Sequence, residues 1–197
     1  MRPSTMTRIL GVLSVFLLAL AACDNAGAGG GGGSPWSGKI SNWNLGSGYS
    51  VAVYDDDSSA TLIGPAEIAS DGSFSLSMDT PPTSALSPLS ALAALFADVT
   101  VSDGSVDYLQ VDELRVLDAG GTAVGTISYA ANLTSQEWWY ATGASTVSGS
   151  GSFLVTLVYD VSVLSGWTSV TATTDQSLTV TYTNGTVSGG SWTYQAD

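Results

Sequence analysis

A chain of 197 residues with no histidine and a single cysteine has few ways to do chemistry, and what remains is acids, hydroxyls and aromatic rings. The densest acid cluster is Asp55-Asp56-Asp57. Calcium takes about six to eight oxygen ligands of this hard type. Consecutive residues of an extended segment, however, point alternately to opposite sides, and the D-x-D-x-D-G spacing with its late glutamate is absent. The cluster therefore reads as a solvated loop after a strand at 51–54, and Asp103-Gly104-Ser105-Val106-Asp107 reads the same way, so no metal ligand is expected.

Two carboxyls at a defined separation, one with its pKa raised by burial, would suffice for glycoside hydrolysis. Asp112-Glu113 and Glu137 neighbour aromatic residues in sequence, but no spacing ties them into a pair. Without histidine there is no Ser-His-Asp triad, no ordinary neutral-pH general base and hardly any zinc catalytic site. The expectation is a protein that is not an enzyme, with no catalytic residues and no cofactor.

Aromatic residues are the richest signal. Trp36, Trp43, Trp138, Trp139, Tyr140, Trp167, Trp192 and Tyr194 are many for a chain with 11% charged residues. Such rings make the core or stack on a sugar or a partner's side chains. In Glu137-Trp138-Trp139-Tyr140, read as part of a strand, alternation places Trp138 and Tyr140 on one face and Trp139 with Glu137 on the other. A glutamate is costly to bury without a partner. Trp138 is thus expected inside and Trp139 at least partly exposed, and Trp139 is the one candidate ligand-binding residue.

The elements that must position these residues follow a period of two from residue 35 onward. Segments 37–43, 51–54, 66–69, 73–78, 113–118, 122–131, 136–142, 152–161, 169–174, 178–183 and 191–195 read as strands. Asp71-Gly72 favours a tight hairpin turn, with Phe74, Leu76 and Met78 on one face and Ser73, Ser75 and Ser77 toward solvent. Asn184-Gly185 marks a further turn. One segment breaks the pattern: Ser87 as N-cap, Pro88 at the first helical position and Leu89, Leu92, Ala93 and Phe96 at helical spacing predict a short helix at about 87–97. The fold expected for 35–197 is mainly β, an antiparallel β-sandwich of roughly nine strands with that one helix. An outer-membrane barrel is disfavoured because its strands need about 10 residues and a lipid-facing band.

Ahead of this body lie Arg2 and Arg8, an apolar run from Ile9 to Leu20, and then Leu20-Ala21-Ala22-Cys23. These are the n-region and h-region of a secretory signal peptide, too short for a comfortable bilayer span of roughly 20 apolar residues. The segment resembles the lipobox of bacterial lipoproteins. The resemblance implies that 1–22 is removed and that the Cys23 sulfur carries a diacylglyceryl group, two chains that together give stable membrane attachment. Residues 23–34, the lipidated cysteine and DNAGAGGGGGS, then form a Gly-rich tether to the domain. Two fainter likenesses concern the body. G-K-I and D-G-S-F-S-L between Ser37 and Met78 resemble the first half of transthyretin-like or carboxypeptidase-regulatory-like sandwich modules. EWWYAT and SGWTSV between Glu137 and Thr168 resemble the C-terminal half of uncharacterised bacterial surface lipoproteins. Both imply fold and envelope location alone.

Loss of 1–22 would leave two cations, Lys39 and Arg115, against 17 Asp and Glu, a formal charge of −15. Nucleic acid is excluded as a partner on this balance, since phosphate binding runs on Lys and Arg clusters. The expected location is the bacterial cell envelope, facing away from the cytoplasm. Asp24 matches an inner-membrane retention signal of some diderm bacteria, and the leaflet stays open. The partners expected are the membrane, through the lipid, and an envelope polymer or protein. Three functions remain: a structural or interaction role, a carbohydrate or polymer-binding module, and a hydrolase working with carboxylates alone. Asn132-Leu133-Thr134 and Asn184-Gly185-Thr186 match a glycosylation acceptor pattern by accident.

Overall fold

The computed structural model describes residues 36–152 and 154–197. Residues 1–22, expected to be a signal peptide, Cys23, and residues 23–34, expected to be a tether, lie outside the described residues.

The protein is mainly β, as its alternation predicts, but with fifteen strands where roughly nine were expected. The first half holds β1 (Trp36–Lys39), β2 (Tyr49–Asp55), β3 (Ala60–Ile68), β4 (Ser73–Leu76), the two-residue β5 (Ser87–Pro88), β6 (Asp98–Val101), β7 (Asp107–Val111) and β8 (Leu114–Leu117). The second half holds β9 (Ala123–Ala131), β10 (Thr134–Ala141), β11 (Ser145–Ser152), β12 (Thr156–Val163), β13 (Gly166–Thr174), β14 (Thr179–Asn184) and β15 (Ser191–Ala196). The additional strands are short, or poor in apolar residues: β11 reads STVSGSGS and buries Ser145 and Val147 alone. Backbone pairing, which periodicity does not report, makes them strands.

They form one open mixed sheet in the order β1-β4-β3-β2-β8-β9-β10-β13-β14-β12-β11-β6, with β15 added to β9 and β5-β7 added to β10. Every strand pairing is antiparallel except that of β12 with β14. The arc from β1 to β15 curls until Ile40 meets Trp192 in a single parallel bridge. The Asp71-Gly72 turn forms as expected, with Gly72 at φ +86 and Gly72 N donating to Ala69 O at 2.8 Å. Phe74 and Leu76 are buried behind it, while Ser75 and Ser77 are exposed.

The helix is shorter than its pattern predicts. Ser87-Pro88 is extended and pairs with Tyr108 and Asp107 of β7, an edge position where proline's missing N–H removes nothing from the ladder. Leu89 N donates to Val106 O at 2.8 Å, holding the chain there, and helix α1 (Ser90–Leu95) starts only beyond it, with no side-chain cap. Its faces are as expected: Leu92 is buried and Ala94 exposed. Among the described residues no helix is long and apolar enough to cross a membrane.

Two hydrophobic cores lie on opposite faces of β7 and β10. The first gathers Trp36, Val51, Leu114, Ile127, Trp138 and Trp192, with Leu109 and Val111. The second gathers Leu92, Val147, Tyr159, Val170 and Tyr182, with Tyr108, Trp139 and Ala141. β7 and β10 are therefore covered on both sides, a condition that makes buried strands read as continuous apolar runs.

Candidate functional site

β10 runs through the middle of the molecule, paired to β13 along its whole length and to β9 and then β7 on its other edge. Its residues Gln136 to Trp139 are all buried. The alternation expected for this strand holds, but the inference drawn from it does not. Trp138, 2% exposed, enters the first core; Trp139, 0% exposed, enters the second. Trp139 is not a platform open to solvent. Its ring is walled by Tyr108, Tyr159 and Tyr182 at centroid distances of 5.8, 6.5 and 6.2 Å. The expectation failed because it assumed one core, and a strand between two cores has no solvent face.

Glu137 goes in with Trp139, at 1% exposure. What makes its burial tolerable is a pair of donors on one oxygen: Gln110 Nε2 at 2.9 Å and Trp139 Nε1 at 3.2 Å both donate to Oε2. Both donors are neutral, so neither offsets a full charge. Burial first, and the nearby Asp112 carboxylate second, push the Glu137 pKa well above the usual carboxylate range, against the smaller opposing effect of the two hydrogen bonds. Burial likewise raises the Tyr159 and Tyr182 hydroxyls, with Glu137 among the charges that add to it. Glu113, on the next stretch of chain, is raised to about 7, chiefly by burial and then by Asp112, with Arg115 pulling the other way. The fold thus brings Asp112 and Glu137 into electrostatic contact, although sequence spacing gave no reason to pair them. A carboxyl enclosed to this degree by Trp139 and the core tyrosines does not meet a polymeric substrate. The arrangement suits an acid kept neutral within a core.

The opposite face of β10 bears the second feature. A run of rings crosses the molecule: Tyr140 on Trp167 at 5.3 Å, Trp167 on Trp36 at 4.8 Å and Trp36 on Trp138 at 5.8 Å. It continues with Trp138 stacked on Trp192 at 5.7 Å and 8° and Tyr129 on Trp192 at 5.4 Å. Where this run nears the surface there is a cleft of about 220 Å³, lined by Tyr129, Gln136, Trp138, Ser169, Thr186 and Trp192 among others. Gln136 sets its wall. The Gln136 amide donates to Val170 O at 2.8 Å and Glu137 O at 3.0 Å, and its Oε1 accepts from Val187 N at 2.8 Å. That last bond pins the segment after Asn184-Gly185, which leads the chain from β14 across to β15. Its two tryptophan rings are covered, Trp138 at 2% and Trp192 at 4% exposure, so Tyr129, half-buried, and the Thr186 side chain, exposed, are what this lining shows to solvent. The volume lies below the ~300–1,000 Å³ of sites for drug-sized ligands.

The remaining acids stand apart. Asp56 and Asp57 are exposed, and Asp56 pairs with Arg115 at 2.7 Å. Asp103 turns back onto its own loop, accepting from Ser105 N at 3.0 Å and Ser105 Oγ at 2.6 Å, which lowers its pKa. Among the described residues no group of three or more Asp, Glu, His or Cys is placed to hold a metal ion. Gln110 and Gln136 escaped the sequence reading, because a buried amide leaves no trace in composition or spacing. A polar pair flanking a run of bulky rings, as in Gln136-Glu137-Trp138-Trp139, was the available signal. Comparison with protein-family models, with curated proteins and with solved structures returned no match for this chain.

Proposed function

We propose that this chain is a lipid-anchored protein of the bacterial cell envelope, facing outside the cytoplasm, whose β domain serves a structural or interaction role without catalysis. The observation that carries the reading is the placement of Cys23 after Leu20-Ala21-Ala22, behind a short apolar run and ahead of a Gly-rich tract. Two acyl chains on one cysteine hold a protein on a membrane without a spanning helix. The strongly acidic body disfavours adsorption to anionic lipid by charge, so attachment falls to the lipid. The test is metabolic labelling with palmitate followed by cell fractionation. Label should appear in the membrane-bound wild type and be lost in Cys23→Ser; undiminished label in the variant refutes the anchor.

A second reading, a module binding carbohydrate or another envelope polymer, is favoured by the cleft beside Tyr129, Trp138 and Trp192. Thr186, exposed, and Tyr129, half-buried against Trp192, are the residues to vary, with a thermal melt of Tyr129→Ala to separate lost packing from lost binding. Affinity electrophoresis in gels containing envelope polysaccharide should show retardation that Tyr129→Ala and Thr186→Ala weaken. Equal mobility in gels with and without polysaccharide removes this reading.

A further inference from the structure

Four of the five large hydrophobic side chains that stand exposed among the described residues gather at one end of the second core. Leu133, 50% exposed, lies in the turn between β9 and β10; Leu178, 60%, in the turn between β13 and β14; Leu154, 63%, between β11 and β12. Backbone bonds knit these turns together: Thr174 N donates to Leu133 O at 2.9 Å and Thr156 N to Leu178 O at 3.2 Å. Neighbouring strands sit about 4.8 Å apart, so the tips on β10, β14 and β12 fall within about 15 Å. Leu95, 39% exposed, closes α1 on the same side, since the next residue, Phe96, lies directly against Gly151 of β11. Leu164, the fifth, sits at the opposite end, between β12 and β13.

Local structure does not ask for these leucines. Leu178 holds φ +60, a left-handed conformation in which glycine and asparagine are the unstrained choices. A single exposed leucine is ordinary on a protein surface, but three turn tips and the end of α1 carrying one each at the same end of the domain is a clustering that the fold itself does not require. Charge narrows what that is. Both cations of the described chain, Lys39 and Arg115, belong to β1 and β8 of the first core, so this end has no means of attracting acidic groups. Asp175, exposed and held ionised by bonds from Ser177 N at 2.8 Å, Ser177 Oγ at 2.7 Å and Thr179 N at 2.9 Å, and the exposed Asp98 opposite Ser150 of β11 make what charge this end carries negative, which disfavours an anionic surface. A second copy would bring together two domains of like, strongly acidic charge. Separate apolar turn tips at one end of a domain match a neutral lipid interface, into which each enters singly. Thirteen residue steps from Cys23 to Trp36 reach at most about 45 Å, more than the length of an eight-residue strand, so an anchor at Cys23 permits this end to face the bilayer.

We infer that the turn tips Leu133, Leu154 and Leu178 dock the domain onto the surface of the lipid bilayer, an inference that rests on the lipid-anchored reading. The experiment uses the full, acylated chain carrying one new thiol, Leu154→Cys or, as reference, Leu164→Cys, each labelled with bimane and reconstituted in phosphatidylcholine vesicles with and without brominated acyl chains. Docking predicts a blue-shifted label at 154 that loses most of its emission in brominated vesicles, and a label at 164 that does neither. If the protein floats with the vesicles but neither label is quenched, or both are quenched alike, docking is overturned and the anchor stands. A 154 signal that reverts when the protein is diluted within the vesicles identifies a second copy as the occupant and overturns it too. Protein that does not float at all refutes the anchored reading and docking with it.

Discussion

Replacing Glu137 by Gln should flatten the dependence of the domain's stability on pH. With no histidine in the chain, side-chain titration between pH 5 and 8 has to come from acids moved out of their usual range. Glu137 and Glu113 are both moved upward, chiefly by burial and Glu113 to about 7. Between the ordinary value of 4.5 and its raised value, such an acid keeps its proton in the folded protein and has lost it in the unfolded chain. The folded state then binds more protons, so stability falls as pH rises through that window. Each acid contributes a slope of up to about 1.4 kcal/mol per pH unit. At about 2–4 °C per kcal/mol for a domain of this size, that is roughly 3–5 °C of Tm per pH unit from each. Acting in the opposite sense are Asp71, lowered to about 2 chiefly by hydrogen bonds from Ser73, and Asp103 and Asp175, lowered chiefly by Ser105 and Ser177. Their stabilisation is present above the ordinary value of 3.8 and disappears as pH falls through their lowered values. The wild-type maximum should therefore lie on the acid side of neutrality. Thermal melts from pH 4.5 to 8.5 should show the wild type losing stability steadily and Glu137→Gln losing about half as much per unit between pH 5 and 7, where Glu113 still titrates. A variant with the wild-type slope would mean that Glu137 is ionised within the fold, and the burial argument would be wrong.

Trp138→Ala and Trp139→Ala should each cost about 3–5 kcal/mol in urea unfolding, as large core truncations do; a benign Trp139→Ala would contradict the second core. Leu92→Asp places a charge in an apolar contact and should lower Tm sharply, while Ala94→Asp, on the exposed side of α1, should stay within about 0.5 kcal/mol of wild type; equal melts would show the helix faces to be misassigned. Gly149 sits at φ +114 opposite Val99, and a Cβ there would run into the Asp98 carbonyl. Gly149→Ala should cost on the order of 1–3 kcal/mol and speed hydrogen exchange across β6 first, whereas unchanged exchange in β6 would mean the edge tolerates a side chain.

The mainly-β class was legible because alternation is local: Phe74, Leu76 and the serines between them carry their facing in the order of the residues. The Asp71-Gly72 turn and the buried side of α1 were legible for the same reason. The helix start was not, because the bond from Leu89 N to Val106 O competes with Pro88's helical preference and joins residues far apart in the chain. Nor was β11, whose SGSGS stretch becomes a strand only by lying between β12 and β6.

Glu137-Trp138-Trp139 marks the boundary between the two kinds of knowledge. The sequence by itself determined that Trp138 and Trp139 point in opposite directions, since that follows from the geometry of an extended backbone. Whether either direction leads to water depends on what lies across the sheet. The tertiary structure decided that both lead inward, by setting the first core on one face of β10 and the second on the other. The same placement brought Gln110 to Glu137 and Asp112 into its field, because burial and electrostatics act through space between strands whose pairing no stretch of sequence records.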